Sequence, residues 1–276
     1  MIFRSKAPLR IGLAGGGTDV SPYCDLYGGA ILNTTISHAA YASIETLDAN
    51  KIIVETLDRK EKQEFSWDTI LPIDGELNLL KGVYNRIQKD YGIKKCGIRL
   101  STFVDAPAGS GLGTSSTLVV AILGAFIEML RLPFSQYDAA HYGYDIERNN
   151  LQLAGGRQDQ YAATFGGVNF MEFYKEDKVI VNPLRIRDEY MNELENNLVL
   201  YFTSTSRESA EIIKEQVSNV NKKNEKSIEA MHQLKEQAKM MKEALLKGKL
   251  NDIGEILDYG FQQKRLMAHN ISNTSI

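Results

Sequence analysis

The sequence has few cysteines and no long hydrophobic run. Cys24 and Cys96 are the two cysteines in 276 residues, too few for the disulfide framework of a small secreted protein. No stretch approaches the roughly 18 consecutive apolar residues that a membrane-spanning helix needs. The first residues also lack the apolar core of a secretory signal. We therefore expect a cytoplasmic protein with reduced cysteines and no membrane partner.

The chain also lacks an excess of basic residues. Its 32 Lys and Arg against 35 Asp and Glu give a net charge of −3, so it has no electrostatic footprint for nucleic acid. The hydrophobic fraction of 43% and the charged fraction of 24% are those of an ordinary globular protein. At about 150 residues per domain, this length suggests two domains. The pattern turns from strand to helix near residue 185, which predicts domains at 1–185 and 186–276.

The sequence also lacks the two common phosphate-binding motifs, the P-loop and the dinucleotide fingerprint. The glycine-rich segment Pro107–Thr117 follows an alternating, strand-like segment, Gly97–Asp105, and precedes an apolar helical run, Leu118–Leu130. A glycine loop between a strand and a helix N-terminus is a cradle for anions. No P-loop lysine follows the glycines, and Thr114 stands where a dinucleotide fingerprint has its last glycine. What remains is a hydroxyl-rich loop for phosphate or Mg²⁺, or else an ordinary loop with a Ser/Thr helix cap.

Two other stretches are rich in glycine. Gly15–Asp19 contains three successive glycines, which are costly in chain entropy, so close backbone approach is expected there. The alternative is a loose hairpin loop. Farther on, the polar group Arg157–Gln160 stands between two Gly-Gly pairs within residues 154–167.

Phosphoryl transfer needs a phosphate cradle, a divalent ion, a cation for developing charge and a group that positions the acceptor hydroxyl. The chain has a candidate for each role. Ser115 is a hydroxyl ligand in the glycine loop, and Glu147 offers a carboxylate to a metal. Asp159 can accept a proton, and Arg10 can neutralise charge. The structural alternatives are a solvated helix face for Glu147, a turn aspartate for Asp159 and a surface charge for Arg10.

Three segments resemble motifs of the GHMP kinases, the family of galacto-, homoserine, mevalonate and phosphomevalonate kinases. Ala7–Asp19 resembles A-P-x-[RK]…T-D, Pro107–Ser116 resembles P-x-x-x-G-L-x-S-S, and Gly155–Gln160 resembles G-G-x-x-D-Q. Their order and spacing agree as well, so the chain is identified as a member of this family. The motifs cover residues 7 to 160, and the remainder fits more loosely.

The resemblance implies an α+β fold of two domains with the active site between them. The N-terminal domain would be a ribosomal-S5-like α/β unit, and the C-terminal one a ferredoxin-like α+β unit that is incomplete here. ATP and Mg²⁺ are the implied cofactors, with Ser115 and Glu147 on the metal, Asp159 as base and Arg10 assisting by charge. The residues that would hold the nucleotide phosphates are Pro107, Gly109, Ser110, Gly111, Leu112, Gly113, Thr114, Ser115 and Ser116.

Within the family, Arg10–Asp19 and Gly111–Ser116 most resemble the branch of D-glycero-D-manno-heptose 7-phosphate kinases and L-fucose kinases. Galactokinases carry Glu-His where this chain has Gly16-Gly17, which makes galactose a poor fit. The resemblance implies transfer to the anomeric hydroxyl of the heptose 7-phosphate, feeding nucleotide-activated heptose for surface polysaccharide. The alternatives are another sugar 1-kinase, such as one for L-fucose, and a nucleotide- or sugar-binding form without turnover.

A sugar phosphate is thus the expected small-molecule partner, and a homodimer is left open. The resemblance places Gly17, Thr18 and Asp19 on the substrate. A substrate phosphate needs cations of its own, and Arg157 and Arg207 are the candidates. Arg207 follows a Ser/Thr run at a predicted helix N-terminus, for which the alternative is a plain capped helix.

The second half of the sequence gives weaker signals. Leu198–Phe202 is a short apolar run that predicts a buried strand, and apolar residues from Ile228 to Leu245 recur at helical spacing. The family's C-terminal G-A-G-G-G-rich loop has no counterpart after Gly167. We expect from this a shortened second domain, either a truncation or a fragment, with an exposed sheet edge and weakened or abolished turnover.

Overall fold

One mixed β-sheet is the frame of the molecule. The computed structural model describes residues 1–67, 70–93, 96–203, 209–268 and 271–272. The strands of its seven-stranded sheet are β1 (Ile2–Ala14), β2 (Gly29–Leu47), β3 (Lys51–Thr56), β4 (Glu61–Ser66), β5 (Gly97–Val104), β6 (Val168–Phe173) and β7 (Val179–Pro183). They follow the order β4-β3-β5-β2-β6-β7, with β1 paired to β2. The β3–β5 pair is parallel and the other pairs are antiparallel.

Helices cover the sheet. The described helices are α1 (Tyr23–Tyr27), α2 (Asn78–Tyr91), α3 (Thr114–Leu130), α4 (Gln136–Asp145), α5 (Gln158–Phe165), α6 (Asp188–Asn197), α7 (Ser209–Asn221), α8 (Glu225–Leu246) and α9 (Ile253–Met267). A π-helical turn, Ile146–Asn150, follows α4, and a 3₁₀ turn, Leu250–Asp252, precedes α9. Among the described residues, no helix is both long and apolar enough to span a bilayer.

The long strand β2 connects the two halves of the sheet. Its first half pairs with β6, its second half pairs with β5, and β1 runs beside both halves. Both β1 and β2 are continuous over their full length. In β1 the register shifts between Pro8 and Arg10, where the proline lacks a backbone N–H for the ladder. This strand therefore carries Arg10 beyond the irregularity, into the site described below.

Helix α3 is buried because it is apolar on nearly all sides. Its residues from Val119 to Leu123 are almost wholly inaccessible to solvent and pack with α2 and the sheet. The helix begins at Thr114, directly after Gly113, whose φ of 72° lies in the left-handed region. Because α3 is packed in the core, the C-terminal end of the glycine loop has a fixed position.

The C-terminal helices share a core with the strands. Leu32 and Phe170 of the sheet pack in one apolar cluster with Ala238, Met241 and Leu245 of α8. The apolar residues that recur at helical spacing from Ile228 to Leu245 therefore include members of the core. The described chain does change from strands to helices after β7, near the predicted boundary at residue 185. The α+β class is confirmed.

The predicted strand at Leu198–Phe202 is wrong. These residues form no regular element, and Val199 and Tyr201 are 85% and 82% exposed. An apolar run forms a strand only where a neighbouring strand pairs with its backbone. No described strand lies beside this segment. Among the described residues after 185, regular structure is helical.

A substitution at Gly260 tests how tightly α8 and α9 are packed. A β-carbon at Gly260 would lie 2.0 Å from Nε2 of Gln237, a buried side chain that bridges Gly15 and Ile256 by hydrogen bonds. We expect Gly260→Ala to lower the free energy of unfolding by about 1–3 kcal/mol through overpacking. Thermal unfolding, monitored by circular dichroism, measures this loss of stability.

Gly254→Ala in the same helix is the matched control. No atom lies within 4 Å of the added methyl group, and alanine is favoured over glycine in a helix by roughly 0.5–1 kcal/mol. Its melting temperature should equal or exceed that of the parent protein. Equal melting temperatures for the two variants would contradict the packing argument.

Candidate active site

Arg10 joins three distant parts of the chain. Its Nε and Nη2 both lie 2.7 Å from Oδ1 of Asp159, at the start of α5, and Nη1 donates to the Gly111 carbonyl at 2.6 Å. Its backbone N–H donates to the Leu112 carbonyl at 3.2 Å. Burial lowers the pKa of Arg10, but the charge and hydrogen bond of Asp159 outweigh this and raise it. The guanidinium therefore stays charged and links β1, the glycine loop and α5.

The glycine loop comes close to Asp159 and leaves little space for a side chain at Gly113. A β-carbon at Gly113 would lie 3.3 Å from Oδ2 of Asp159 and 3.5 Å from Nε of Arg10. The positive φ of Gly113 also disfavours other residue types. Residues Pro107–Gly113 thus form a loop that leads into the first turn of α3, Thr114–Ser116, beside a carboxylate and a guanidinium. Free backbone N–H groups and the helix dipole favour an anion there.

Ser115 and Glu147 meet at the first turn of α3. The Ser115 hydroxyl donates to Oε1 of Glu147 at 3.1 Å, and Glu147, in the π-helical turn, is 1% exposed. Gln160 Nε2 donates to Oε2 of Glu147 at 2.5 Å and to the Ser116 hydroxyl at 3.1 Å. The predicted alternative of a solvated helix face for Glu147 is wrong. The sequence motif contains Gln160 but assigns it no role, because the role depends on a contact across the fold.

The Ser115–Glu147 pair fits Mg²⁺ in chemistry and spacing. Mg²⁺ bonds of about 2.1 Å place neighbouring oxygens of an octahedral shell about 3.0 Å apart. The ion is usually held by one or two carboxylates plus substrate phosphates. The observed oxygens are 3.1 Å apart beside the phosphate loop. The described residues hold no group of three or more His, Cys, Asp or Glu side chains suited to a metal. Magnesium stays a prediction for this pair.

Asp19 presents one unsatisfied oxygen in a buried setting. Its Oδ2 accepts hydrogen bonds from the backbone N–H groups of Arg157 at 2.7 Å and Gln158 at 3.0 Å. Its Oδ1 is buried and has no hydrogen-bond partner among the residues that the structure describes. Burial raises the pKa of the Asp19 carboxyl and the charge of Asp159 adds to it, against the backbone hydrogen bonds, which lower it. A buried acceptor without a partner suits a ligand hydroxyl.

Thr18 does not offer its hydroxyl to a substrate. The side chain is completely buried and bonds to the Gly15 carbonyl at 2.8 Å and to the Ala30 carbonyl and N–H at 2.9 and 3.1 Å. The predicted substrate contact is corrected accordingly, since Thr18 holds the loop closed against β2. Gly17 is partly exposed, but its carbonyl accepts from Gln216 of α7 at 2.6 Å.

The Arg157 side chain is engaged by other protein groups and is not placed to bind a substrate phosphate. Its side chain is 5% exposed and forms ion pairs with Asp25 at 3.2 Å and Asp177 at 2.9 Å. It also donates to the Tyr174 carbonyl at 2.8 Å. This placement corrects the predicted phosphate contact, because the guanidinium is engaged and only the Arg157 backbone N–H serves the site. Arg207, the other predicted phosphate ligand, lies outside the described residues.

Sequence reasoning missed Arg148. Its guanidinium donates to the Gly156 carbonyl at 3.2 and 3.4 Å and to the Leu153 carbonyl at 3.3 Å. A β-carbon at Gly155 would lie 2.1 Å from Arg148 Nη2. Arg148 therefore supports the segment that leads into α5. The only sequence signal is its position next to Glu147.

Comparison with known proteins identifies the family. A model of the GHMP kinases N terminal domain matches residues 78–167. The D-glycero-alpha-D-manno-heptose 7-phosphate kinase of Campylobacter jejuni is 45% identical over 273 residues, which are 99% of this chain and 80% of that protein. The chain belongs to the GHMP kinase family.

Other relatives agree with the fold of this GHMP kinase. A solved D-glycero-D-manno-heptose 1-phosphate kinase from Bacteroides thetaiotaomicron superimposes with a TM-score of 0.84 at 48% identity, over 98% of this chain and 81% of that one. The L-fucokinase/L-fucose-1-P guanylyltransferase of Bacteroides fragilis is 27% identical over 95% of this chain and 30% of that protein. The predicted resemblance is confirmed, and the chain is a kinase of the sugar-kinase class. The family implies ATP as the phosphoryl donor.

A substitution at Gln160 tests whether its hydrogen bonds to Glu147 and Ser116 support the Ser115–Glu147 pair. Gln160→Leu removes the amide that donates to Glu147 and Ser116, and loss of such a supporting hydrogen bond typically costs about 10- to 100-fold in metal affinity or activity. We expect the Mg²⁺ concentration for half-maximal kinase activity to rise by about that factor. Gln136→Leu, an exposed change on α4, is the control. An unchanged Mg²⁺ dependence for Gln160→Leu would overturn the assignment.

Proposed function

We propose that this GHMP kinase transfers the γ-phosphoryl group of ATP to the anomeric hydroxyl of D-glycero-D-manno-heptose 7-phosphate. The product would feed the synthesis of nucleotide-activated heptose for surface polysaccharide, in the cytoplasm. The observation that carries the proposal is the 45% identity to a heptose 7-phosphate kinase over 99% of the chain. The contact of Arg10 with both Asp159 and Gly111 supports it, because it brings a base and a cation to the phosphate loop.

Asp159 acts as the base. Its Oδ1 is engaged by Arg10 and its Oδ2 faces Gly113, so Oδ2 is the oxygen that accepts the hydroxyl proton. As the O–H bond breaks, the sugar oxygen forms a bond to the γ-phosphorus of ATP. The bond from that phosphorus to the β–γ bridging oxygen breaks, and ADP leaves.

Arg10 and the glycine loop stabilise the charge that spreads over the transferred group. The loop N–H groups and the α3 N-terminus hold the nucleotide phosphates, while the guanidinium keeps Asp159 oriented. Mg²⁺, held by Ser115 and Glu147 when bound, would neutralise phosphate charge. Electrostatic positioning is the main catalytic effect available here, because phosphoryl transfer involves little covalent chemistry by the protein.

Asp19 binds the sugar. Its Oδ1 accepts a hydrogen bond from a substrate hydroxyl, which satisfies the oxygen that has no partner within the described protein. Gly17, at the partly exposed part of the same loop, allows the sugar to approach the backbone closely. Thr18 and the Arg157 backbone N–H keep Asp19 in place.

The carboxylate of Asp159 is the sharpest test of the mechanism. Asp159→Asn preserves shape but cannot accept the proton, so we expect kcat to fall by about 10²- to 10⁴-fold. Coupled detection of ADP release measures it. Asp48→Asn, in the exposed turn after β2, should retain the parent rate. Near-native turnover of Asp159→Asn would show that the assigned base is wrong.

The substrate is tested with a panel. ADP release should be fastest with the heptose 7-phosphate and slower with the unphosphorylated heptose and with L-fucose. Preference for L-fucose would favour the alternative that the sugar-kinase branch leaves open. Absence of ADP release with every sugar, together with retained ATP binding, would favour a binding protein without turnover.

A further inference from the structure

The N-terminus of α5 is capped by a carboxyl group from a distant part of the chain. The side chain of its N-cap residue, Arg157, makes no capping hydrogen bond. Instead, Oδ2 of Asp19 accepts from the backbone N–H groups of Arg157 at 2.7 Å and Gln158 at 3.0 Å, which have no partners inside the helix. A β-carbon at Gly156 would overlap the Asp19 carboxyl group. The position of Asp19 therefore depends on where the start of α5 lies.

The guanidinium of Arg157 ties the start of α5 to two other elements. Its Nη2 donates to the Ser21 hydroxyl at 3.1 Å, just before α1, and to Oδ1 of Asp25 at 3.2 Å, within α1. Its Nη1 donates to the Tyr174 carbonyl at 2.8 Å, and its Nη2 forms an ion pair with Asp177 at 2.9 Å, both in the turn between β6 and β7. One side chain thus fixes α5 against α1 and against this turn.

Asp177 is the outermost of these partners. Its side chain is 49% exposed, whereas that of Arg157 is 5% exposed. Its φ of 53° lies in the left-handed region, which Asp and Asn adopt more readily than most other residues. Only Arg157 stands between this exposed carboxylate and the carboxyl group of Asp19, because the Arg157 side chain binds the first and its backbone N–H binds the second.

We propose that Arg157 is a positioning residue for sugar binding. With Asp177 as its outer anchor, its guanidinium holds the start of α5 so that Asp19 presents Oδ1 to a sugar hydroxyl. This inference rests on the proposed function, in which Asp19 binds the sugar. The glycine loop is held separately by α3, and Asp159 is held by Arg10. Loosening the contacts of Arg157 therefore weakens sugar binding much more than ATP binding.

Asp177→Asn tests the proposal at the outer end of these contacts. The change removes the charge and keeps a residue suited to the left-handed conformation. We expect KM for heptose 7-phosphate to rise about two- to fivefold, the range that a half-exposed ion pair permits, while KM for ATP is unchanged. Glu176→Gln, at a neighbouring exposed carboxylate with a φ of 57°, is the matched control and should alter neither KM value. Coupled detection of ADP release measures both.

Two substitutions at Arg157 separate positioning from direct binding. In Arg157→Gln, KM for the sugar should rise about 10- to 100-fold, the size expected for lost hydrogen bonds to a charged group. Arg157→Lys should recover part of this, since it keeps the charge without the planar fork. Because Asp19 accepts a hydroxyl, the rise should be equal for heptose 7-phosphate and the free heptose. A rise confined to the phosphorylated sugar would overturn the proposal, as would a lower kcat with unchanged KM values, which indicates only loss of folded protein.

Amide hydrogen exchange tests the same contacts without a substrate. The N–H groups of Arg157 and Gln158 are bound by Asp19, so their exchange should become about two- to fivefold faster in Asp177→Asn and stay at the parent rate in Glu176→Gln. Unchanged exchange in Asp177→Asn would overturn the Arg157 proposal. Faster exchange in a protein that does not phosphorylate heptose 7-phosphate would support the role of Arg157 and show that the proposed substrate is wrong.

Discussion

The contact between Arg10 and Asp159 is the interaction on which the site depends. One guanidinium binds a carboxylate from α5 and a carbonyl from the glycine loop, while its own backbone N–H binds the next carbonyl of that loop. Strand β1, the loop and α5 are far apart in the sequence, so their mutual position is set by this residue and by the core beneath it. The absence of a side chain at Gly113 allows the approach.

The site contains three carboxyl groups, and each has different partners. Asp159 has the Arg10 guanidinium, Glu147 has a serine hydroxyl and a glutamine amide, and Asp19 has two backbone N–H groups at the start of α5. A buried charge is costly unless it is paired or hydrogen-bonded. Asp19 is compensated incompletely, because its Oδ1 has no partner among the described residues, and this agrees with its proposed role as a ligand-binding carboxylate.

The C-terminal helices contact the loop Gly15–Asp19 as well as the core. Gln216 and Gln237, both nearly inaccessible, bind the backbone at Gly17 and Gly15. The triple glycine lets these helices approach the loop closely, and Lys264 lies in the space left at Gly16. The proposed sugar-binding surface therefore combines the loop after β1 with helices more than 190 residues later in the chain. The Gln216–Gly17 contact spans 199 residues.

The sequence by itself determined the family, the α+β class, the position of the phosphate loop and the motifs that contain Arg10, Ser115 and Asp159, and it offered Glu147 as a candidate outside those motifs. These features follow from local patterns: glycines at a strand–helix junction, hydroxyls in the loop and carboxylates at motif spacing. Gln160 and Arg148 could not be assigned from the sequence, because their partners are backbone or side-chain atoms brought near only by folding. The same reason explains the errors. Thr18 and Arg157 have suitable chemistry for a substrate, but the tertiary structure engages both side chains internally, and Leu198–Phe202 lacks the neighbouring strand that an apolar run needs.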